Sequence, residues 1–546
     1  MRLHSIIGAS LLVSLALACS SGPSGPVTVT VSPAPADVLT CSTKTFTATV
    51  TGGDSAVTWS VDPSGIGSID GAGAYTAPKQ TPTPSTISVV ATSVSDPTAH
   101  GSADATLATA FPGVAQTVPG STALVPGVFP HAIASSGARA YAAWASPDSN
   151  TPAIFVTRSD DGGTTWKTGV MAMQVTLDDA DAEAFDCISV AIDAGNPDVL
   201  YVAGRSPHAN DAGDAVAGPD SGPTSILAVS TDGGATFTPY VMQVGGSAGG
   251  PFNGWDQVGT CGDVASPAAN TVVFESPGAY GSDGNPDIAV WSDANRGAGF
   301  AQGIAADGDY VADGTTHALD DLQGNHDIDV AQNGGTDDAG GATESPRLFV
   351  DGAGRLCLTY YGSTYPNNGT QAHVYVQCSD DAAMTFSAPL VVDPAEPINE
   401  GISSPVGAFG PNHAAAILWT QGIGVNQLFI ATSTDGGATF GAPSAIATYV
   451  LPNDGGSVAP ENPTLAYDAS GILWIAYRAY DGGFADRIIV DKSCDGGTTW
   501  SGPVLVNGPE ANIVDMRWPT LVMTPGDAPR VAASADDHRA IFTLAP

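Results

Sequence analysis

An eight-residue pattern, Ser-x-Asp-x-(Gly/Ala)-x-Thr-(Trp/Phe), recurs five times and constrains the fold of this chain more than any other feature. The copies are Ser159-Asp161-Gly163-Thr165-Trp166, Ser230-Asp232-Gly234-Thr236-Phe237, Ser379-Asp381-Ala383-Thr385-Phe386, Ser433-Asp435-Gly437-Thr439-Phe440 and Ser493-Asp495-Gly497-Thr499-Trp500. A sixth stretch, Asp293-x-Asn295-x-Gly297-x-Gly299-Phe300, keeps the spacing with altered residues. Five matches at regular intervals mean that one supersecondary unit is repeated. Turn chemistry explains the residue types. The Asp carboxylate can accept hydrogen bonds from neighbouring backbone N–H groups, Gly supplies a positive φ, and the closing aromatic plugs an apolar gap beside the strand. Asp161, Asp232, Asp381, Asp435 and Asp495 therefore read as structural turn-formers, not as acid–base groups.

Three strand-like runs precede each copy. In the fourth unit they are Arg347–Val350, Arg355–Tyr361 and Ala372–Cys378, with a fourth strand expected around Ala388–Val392. Four antiparallel strands per unit make a propeller blade. First strands are expected near His131, Cys187, Cys261, Pro346, Pro405, Pro463 and Pro519, which counts seven blades. The seventh has three strands, and β proteins avoid a bare edge, so residues 114–125 are expected to supply its fourth. The copies together resemble the Asp-box repeats of sialidases and other propellers. The sialidase families have six blades, so six stays open beside seven.

With 66 Gly, 41 Pro and 43% apolar residues, the composition is that of a folded all-β chain. Its net charge of −39 repels phosphate backbones and anionic lipid surfaces, which sets nucleic acid aside. Arg2 and His4 precede the apolar stretch Ile6–Leu17, an export signal too short to span a bilayer. Leu15-Ala16-Leu17-Ala18-Cys19 resembles a bacterial lipobox, which implies removal of residues 1–18, a lipid on Cys19 and residence in the cell envelope. Residues 19–26 read as a flexible tether. Membrane contact is expected only through that lipid, and the chain is expected to be a monomer.

Residues 27–108 hold about seven short β-like runs between Pro, Gly, Asp and Ser turns, the pattern of an Ig-like β-sandwich. Val57-Thr58-Trp59-Ser60-Val61 followed by Gly71-Ala72-Gly73-Ala74-Tyr75-Thr76-Ala77-Pro78 resembles the bacterial Ig-like family of surface proteins. The resemblance implies a spacer or adhesion module, with Trp59 in the core and no catalytic residues. Residues 112–546 form the propeller.

Six further cysteines show no zinc-site spacing, and disulfides are the default in an exported protein. Cys357 and Cys378 lie equally far from Asn367-Asn368, so a hairpin turning there sets them opposite each other. Cys187 and Cys261 open adjacent first strands and make a second candidate pair. Cys41 and Cys494 have no partner that the sequence assigns.

Propeller ligands sit at one end of the central channel, near the starts of the first strands. Arg517-Trp518-Pro519 matches the Arg-x-Pro pattern that opens the sialidase domain, where the Arg binds the substrate carboxylate. Here it lies in the last blade, and Val128-Phe129-Pro130 stands in the first. Glu344 and Glu461 precede Pro346 and Pro463 in the same register, while His131 and Arg347 follow their prolines directly. With Tyr477 these residues form either a glycosidase centre, with a carboxylate polarising a Tyr nucleophile, or a solvated rim of ordinary salt bridges. No cofactor motif occurs. The acidic loops, Asp178–Asp186 and the insertion holding Asp320, Asp321, Asp327, Asp329, Asp337 and Asp338, can offer the six to eight oxygens that calcium takes, although no EF-hand spacing occurs. Two functions follow: an envelope-tethered propeller binding a glycan, polysaccharide or surface protein, and a sialidase-like glycoside hydrolase.

Overall fold

Short alternating runs between Gly and Pro turns fold as strands throughout, and no helix occurs among the described residues. The computed structural model describes residues 25–112, 116–117, 131–146, 153–174, 176–177, 187–206, 209–210, 224–243, 263–280, 286–296, 310–311, 316–317, 326–328, 343–363, 372–393, 402–422, 427–448, 459–480, 487–506, 516–524, 528–535 and 539–545. The export signal, Cys19, Cys261 and the loop Asp178–Asp186 lie outside them. The chain divides into two units, Met1–Pro78 with Pro82–Leu107, and Lys79–Thr81 with Ala108–Pro546.

The first unit has nine strand segments where the sequence suggests about seven: β1 Thr28–Ser32, β2 Ala36–Leu39, β3 Thr43–Thr45, β4 Thr47–Thr51, β5 Val57–Asp62, β6 Ser68–Ile69, β7 Ala74–Thr76, β8 Thr86–Ser93 and β9 His100–Ala108. They form sheets β2-β9-β8-β5, β1-β4 and β3-β7-β6. The extra segments arise because the chain changes partner at Phe46, leaving β7 for β1. Alternation buries Val29, Val31, Val38, Ile87, Val89, Ala91, Ala103 and Ala105 around Phe46 and Tyr75. Trp59 is only half-buried, lying against Gly73. Gly73 has φ 84°, and an added Cβ would come 2.3 Å from the Phe46 carbonyl and 2.9 Å from the indole.

Among its described residues the second unit holds two two-stranded ladders, Thr176–Leu177 with Ala209–Asn210 and Tyr310–Val311 with Thr316–His317, and seven antiparallel sheets of four or five strands. Their first strands are His131–Ser136, Cys187–Ile192, Val264–Ala265, Thr343–Val350, Ile402–Phe409, Ala459–Tyr467 and Met516–Thr524. Each touches the next, and the seventh touches the first, so the sheets close into a ring. Sheet seven gains its outer strand from the start of the unit: Phe111 and Pro112 pair with Ala545 and Leu544, and Gln116 and Thr117 with Ile541 and Ala540. Apolar side chains from neighbouring sheets interlock around the ring, as where Leu418 and Ile430 of sheet five meet Ile475 and Ile489 of sheet six.

Pro346, Pro405, Pro463 and Pro519, near which the sequence places strand starts, follow the starts of their strands by three or four residues. Each lies inside one, at a register shift between Glu344 and Arg347, Ser403 and Val406, Glu461 and Thr464, and Arg517 and Thr520. Proline has no N–H for the ladder, and a bulge places that missing donor where pairing is already broken.

In all five repeat turns the Ser Oγ accepts the N–H of the fifth residue at 2.8–2.9 Å. The Asp Oδ1 accepts the Thr N–H at 2.8–2.9 Å. The Thr hydroxyl donates to Oδ2 at 2.6–2.7 Å. That hydroxyl is the main reason Asp161, Asp232 and Asp435 are held down at about 2, and it lowers Asp381 as well. Each turn also leans on the preceding sheet. Arg158 donates to Gly233 O at 3.0 Å, Gly437 lies beside Cys378, and Gly497 lies beside Thr432. At the seam between sheets seven and one, the buried Arg530 donates to Gly162 O at 3.0 Å.

Candidate functional site

Antiparallel order brings the starts of first and third strands and the end of the second strand to one end of every sheet. The repeat turns, between third and fourth strands, therefore sit at the opposite end. Register assembles the rows at the strand-start end: His131 opposite Trp144, Cys187 opposite Arg205, Glu344 opposite Tyr361, Glu461 opposite Arg478, and Arg517 opposite Ser534, which in turn faces Arg539. Charged residue types thus collect at this end on sheets two, four, six and seven. The side chains of His131, Cys187, Glu344 and Arg517 lie outside the described residues.

The Glu461–Arg478 row is defined in full. Arg478 Nη1 donates to Glu461 Oε2 at 2.9 Å, with the side chains 12% and 32% exposed. Directly opposed residues share one face of a sheet, which is why the pair forms. Tyr477, one residue earlier, points to the other face and is 0% exposed, packed with Leu418, Ile430 and Ile475. Strand alternation thus removes Tyr477 from the rim, correcting the grouping drawn from sequence. Arg347 is half-buried beyond its bulge, opposite Thr359 rather than in the Glu344 row. Tyr361, which the sequence reading passed over, is the tyrosine that register places beside a rim glutamate.

Asp263 sits at the start of the shortest first strand and joins three sheets. Its Oδ1 accepts from the Ser189 hydroxyl and, at 2.9 Å, from Val264 N; its Oδ2 accepts from Leu348 N at 3.1 Å. A carboxylate here replaces ladder bonds that a two-residue strand cannot make. On sheet four, His373 Nδ1 lies 3.2 Å from Asp393 Oδ1, which also accepts Val374 N at 3.0 Å. The bond to Asp393 raises the His373 pKa, and burial raises that of Asp393. Neither group was singled out in the sequence, because twenty residues separate them and nothing local links them.

Cys357 and Cys378 are opposed in register and bonded, with S–S 1.98 Å and Cα–Cα 4.0 Å. Cys41 and Cys494 are also disulfide-bonded. Among the described residues no three His, Cys, Asp or Glu side chains converge as metal ligands would, and the acidic insertion's carboxylates lie outside that set.

No protein-family model matches the chain, and no curated protein does. Among solved structures it is similar to a Hadza microbial sialidase, at 13% identity over 86% of this chain and 75% of that one, TM-score 0.39. It is also similar to an α-L-arabinofuranosidase of Fusarium graminearum in complex with an iminosugar inhibitor, at 13% identity over 80% and 98%, TM-score 0.40. A third is the NanB sialidase of Streptococcus pneumoniae, at 11% identity over 79% and 70%, TM-score 0.40.

Proposed function

We propose that the second unit is a seven-bladed propeller of the Asp-box type that binds a glycan at its strand-start end. The first unit is then an Ig-like spacer, and the exported chain is held in the envelope by a lipid on Cys19. The observation that carries the binding reading is the Glu461–Arg478 pair, a half-exposed carboxylate held in fixed geometry by a mostly covered guanidinium. Such a pair presents hydrogen-bonding oxygens to sugar hydroxyls while its charge is already balanced. The same pairing argues against the Glu–Arg–Tyr centre considered from sequence, because Glu461 is engaged by Arg478 and Tyr477 is buried on the other face. A glycan array followed by calorimetric titration of the captured oligosaccharide tests this. Glu461→Gln and Arg478→Ala should each weaken binding by about ten-fold or more, as expected for a lost charge-assisted bond. Asp435→Asn, at the opposite end, should leave it unchanged. Full binding by both rim variants would refute the assignment.

One observation favours a second reading. Glu344 and Tyr361 are directly opposed, and a carboxylate beside a Tyr can polarise it as a nucleophile toward a glycoside. Fluorogenic sialosides and α-L-arabinofuranosides are the substrates to try, after the sugars named for the similar structures. Turnover abolished by Tyr361→Phe would place hydrolysis ahead of binding.

A further inference from the structure

In the first unit, β4 and β5 are joined by residues 52–56 yet belong to different sheets. Among the described residues β4 pairs only with β1, and β5 only with β8. Each has an unpaired edge, and both contribute to the lining of an open surface cavity of about 450 Å³, bounded by Phe46, Ala48, Ser55, Val57, Trp59 and Ala72 among others. Inner-face residues on the partner strands are sealed, Val29 and Val31 at 8% and Val89 and Ala91 at 0%. Of those lining the cavity, Ala48, Val57 and Trp59 are only half-buried.

Proteins blunt free edges with Lys, Pro, bulges or very short strands. Two other edges of this unit follow that rule, since β3 carries Lys44 and β6 is two residues long, whereas β1 is as bare as β4. By contrast β4, Thr-Ala-Thr-Val-Thr, and β5, Val-Thr-Trp-Ser-Val-Asp, hold no Lys and no Pro, and their pairings run without a shift.

We infer that this cavity takes an extended peptide strand from a partner protein, pairing with the β4 or β5 edge and placing alternate apolar side chains on Trp59 and Val57. Charge identifies the partner. Exposed Asp54 and Asp70 each adjoin a lining residue, the cavity lining holds no basic side chain, and the chain carries −39 overall. A second copy of this acidic chain is a poor occupant, whereas an apolar strand with basic flanks is complementary. Unpaired backbone groups favour a peptide over a sugar, which would leave most of them unmatched.

The full chain is titrated with the peptide Lys-Lys-Thr-Val-Thr-Val-Thr-Val-Thr-Lys, following Trp fluorescence and amide hydrogen exchange. Exchange should slow at β4 or β5, and Asp54→Lys should weaken binding several-fold. The same peptide N-methylated at alternate residues should bind about ten-fold more weakly or worse, since each lost backbone bond is worth roughly 1 kcal/mol. This control does not depend on any variant folding. Equal affinity of the methylated peptide, no slowing at either strand, protection by an oligosaccharide instead, or self-association of the chain would each overturn the inference.

Discussion

Four of the five repeat turns carry Gly at their fourth and fifth positions, and the turn at residues 379–386 carries Ala382 and Ala383. The backbone does not relax to suit them: Ala382 has φ 59° and Ala383 φ 67°, against 66–74° at Gly162, Gly233, Gly436 and Gly496. A left-handed residue with a Cβ costs roughly 1–2 kcal/mol, partly offset because Gly loses more chain entropy on folding. Ala382 is half-buried, so Ala382→Gly should stabilise by about 1 kcal/mol. Ala383 is wholly buried, and trimming its methyl forfeits about 0.8 kcal/mol, which leaves Ala383→Gly near zero. The reverse change is cleaner. A Cβ on Gly436 would meet nothing within 4 Å, so Gly436→Ala carries only the backbone term and should destabilise by about 1 kcal/mol. Calorimetric melting reads these as opposite shifts of about 1 °C each for a unit of this size, and urea midpoints provide the equilibrium check. A neutral Gly436→Ala, or a destabilised Ala382→Gly, would show that the repeat turn does not require its left-handed pair.

Burial pushes Asp491 up to about 7, and beside it burial brings Lys492 down to about 8. The folded state keeps a proton that the unfolded chain releases near pH 4, so wild-type stability falls as pH rises from about 4 to 7. Asp491→Asn should gain on wild type across that window by on the order of 1–3 kcal/mol and hold the gain above it; a gap already complete at pH 4 would contradict this. Replacing Cys357 and Cys378 together by Ser should cost about 2–4 kcal/mol, and reducing agent should then shift the urea midpoint less than it shifts that of the wild type. If Cys19 bears lipid, Cys19→Ala should lose labelled fatty acid and leave the membrane fraction, whereas equal labelling would remove the anchor.

The repeat turns were legible because their chemistry is local: Ser, Asp and Thr close the turn within eight residues. The Cys357–Cys378 bridge was legible for a related reason, since hairpin register is counted from its loop. Strand entries were located to within three or four residues of Pro346, Pro405, Pro463 and Pro519, and the offset arises because a proline signals a boundary in sequence, whereas a bulge lets the strand begin before it. Tyr477 was grouped with Glu461 and the other channel-end residues, although strand alternation turns it to the opposite face from Arg478, the actual partner of Glu461. Asp263, the His373–Asp393 pair and the turn carboxylates Asp193, Asp351 and Asp468 were missed. Asp193, Asp351 and Asp468 cap the connection between first and second strands in sheets two, four and six, through bonds to Gly195, Ala353 and Ser470. Asp351 and Asp468 share a local Asp-x-small-Gly pattern, ending in the positive-φ Gly354 and Gly471, which the reading of the sequence passed over.

The pairing of Phe111, Pro112, Gln116 and Thr117 with the strand Arg539–Ala545 also governs the order of folding. The earlier sheets close by hairpins whose partners leave the ribosome in quick succession. This seam must wait for the last-made strand, and it carries the largest loop-closure entropy in the unit. Until then two strand edges stay bare on either side of the gap, which is the interval when such a chain is most open to aggregation. Sealing the seam late makes the ring cooperative: a nick that frees the closing strand exposes the same two edges at once.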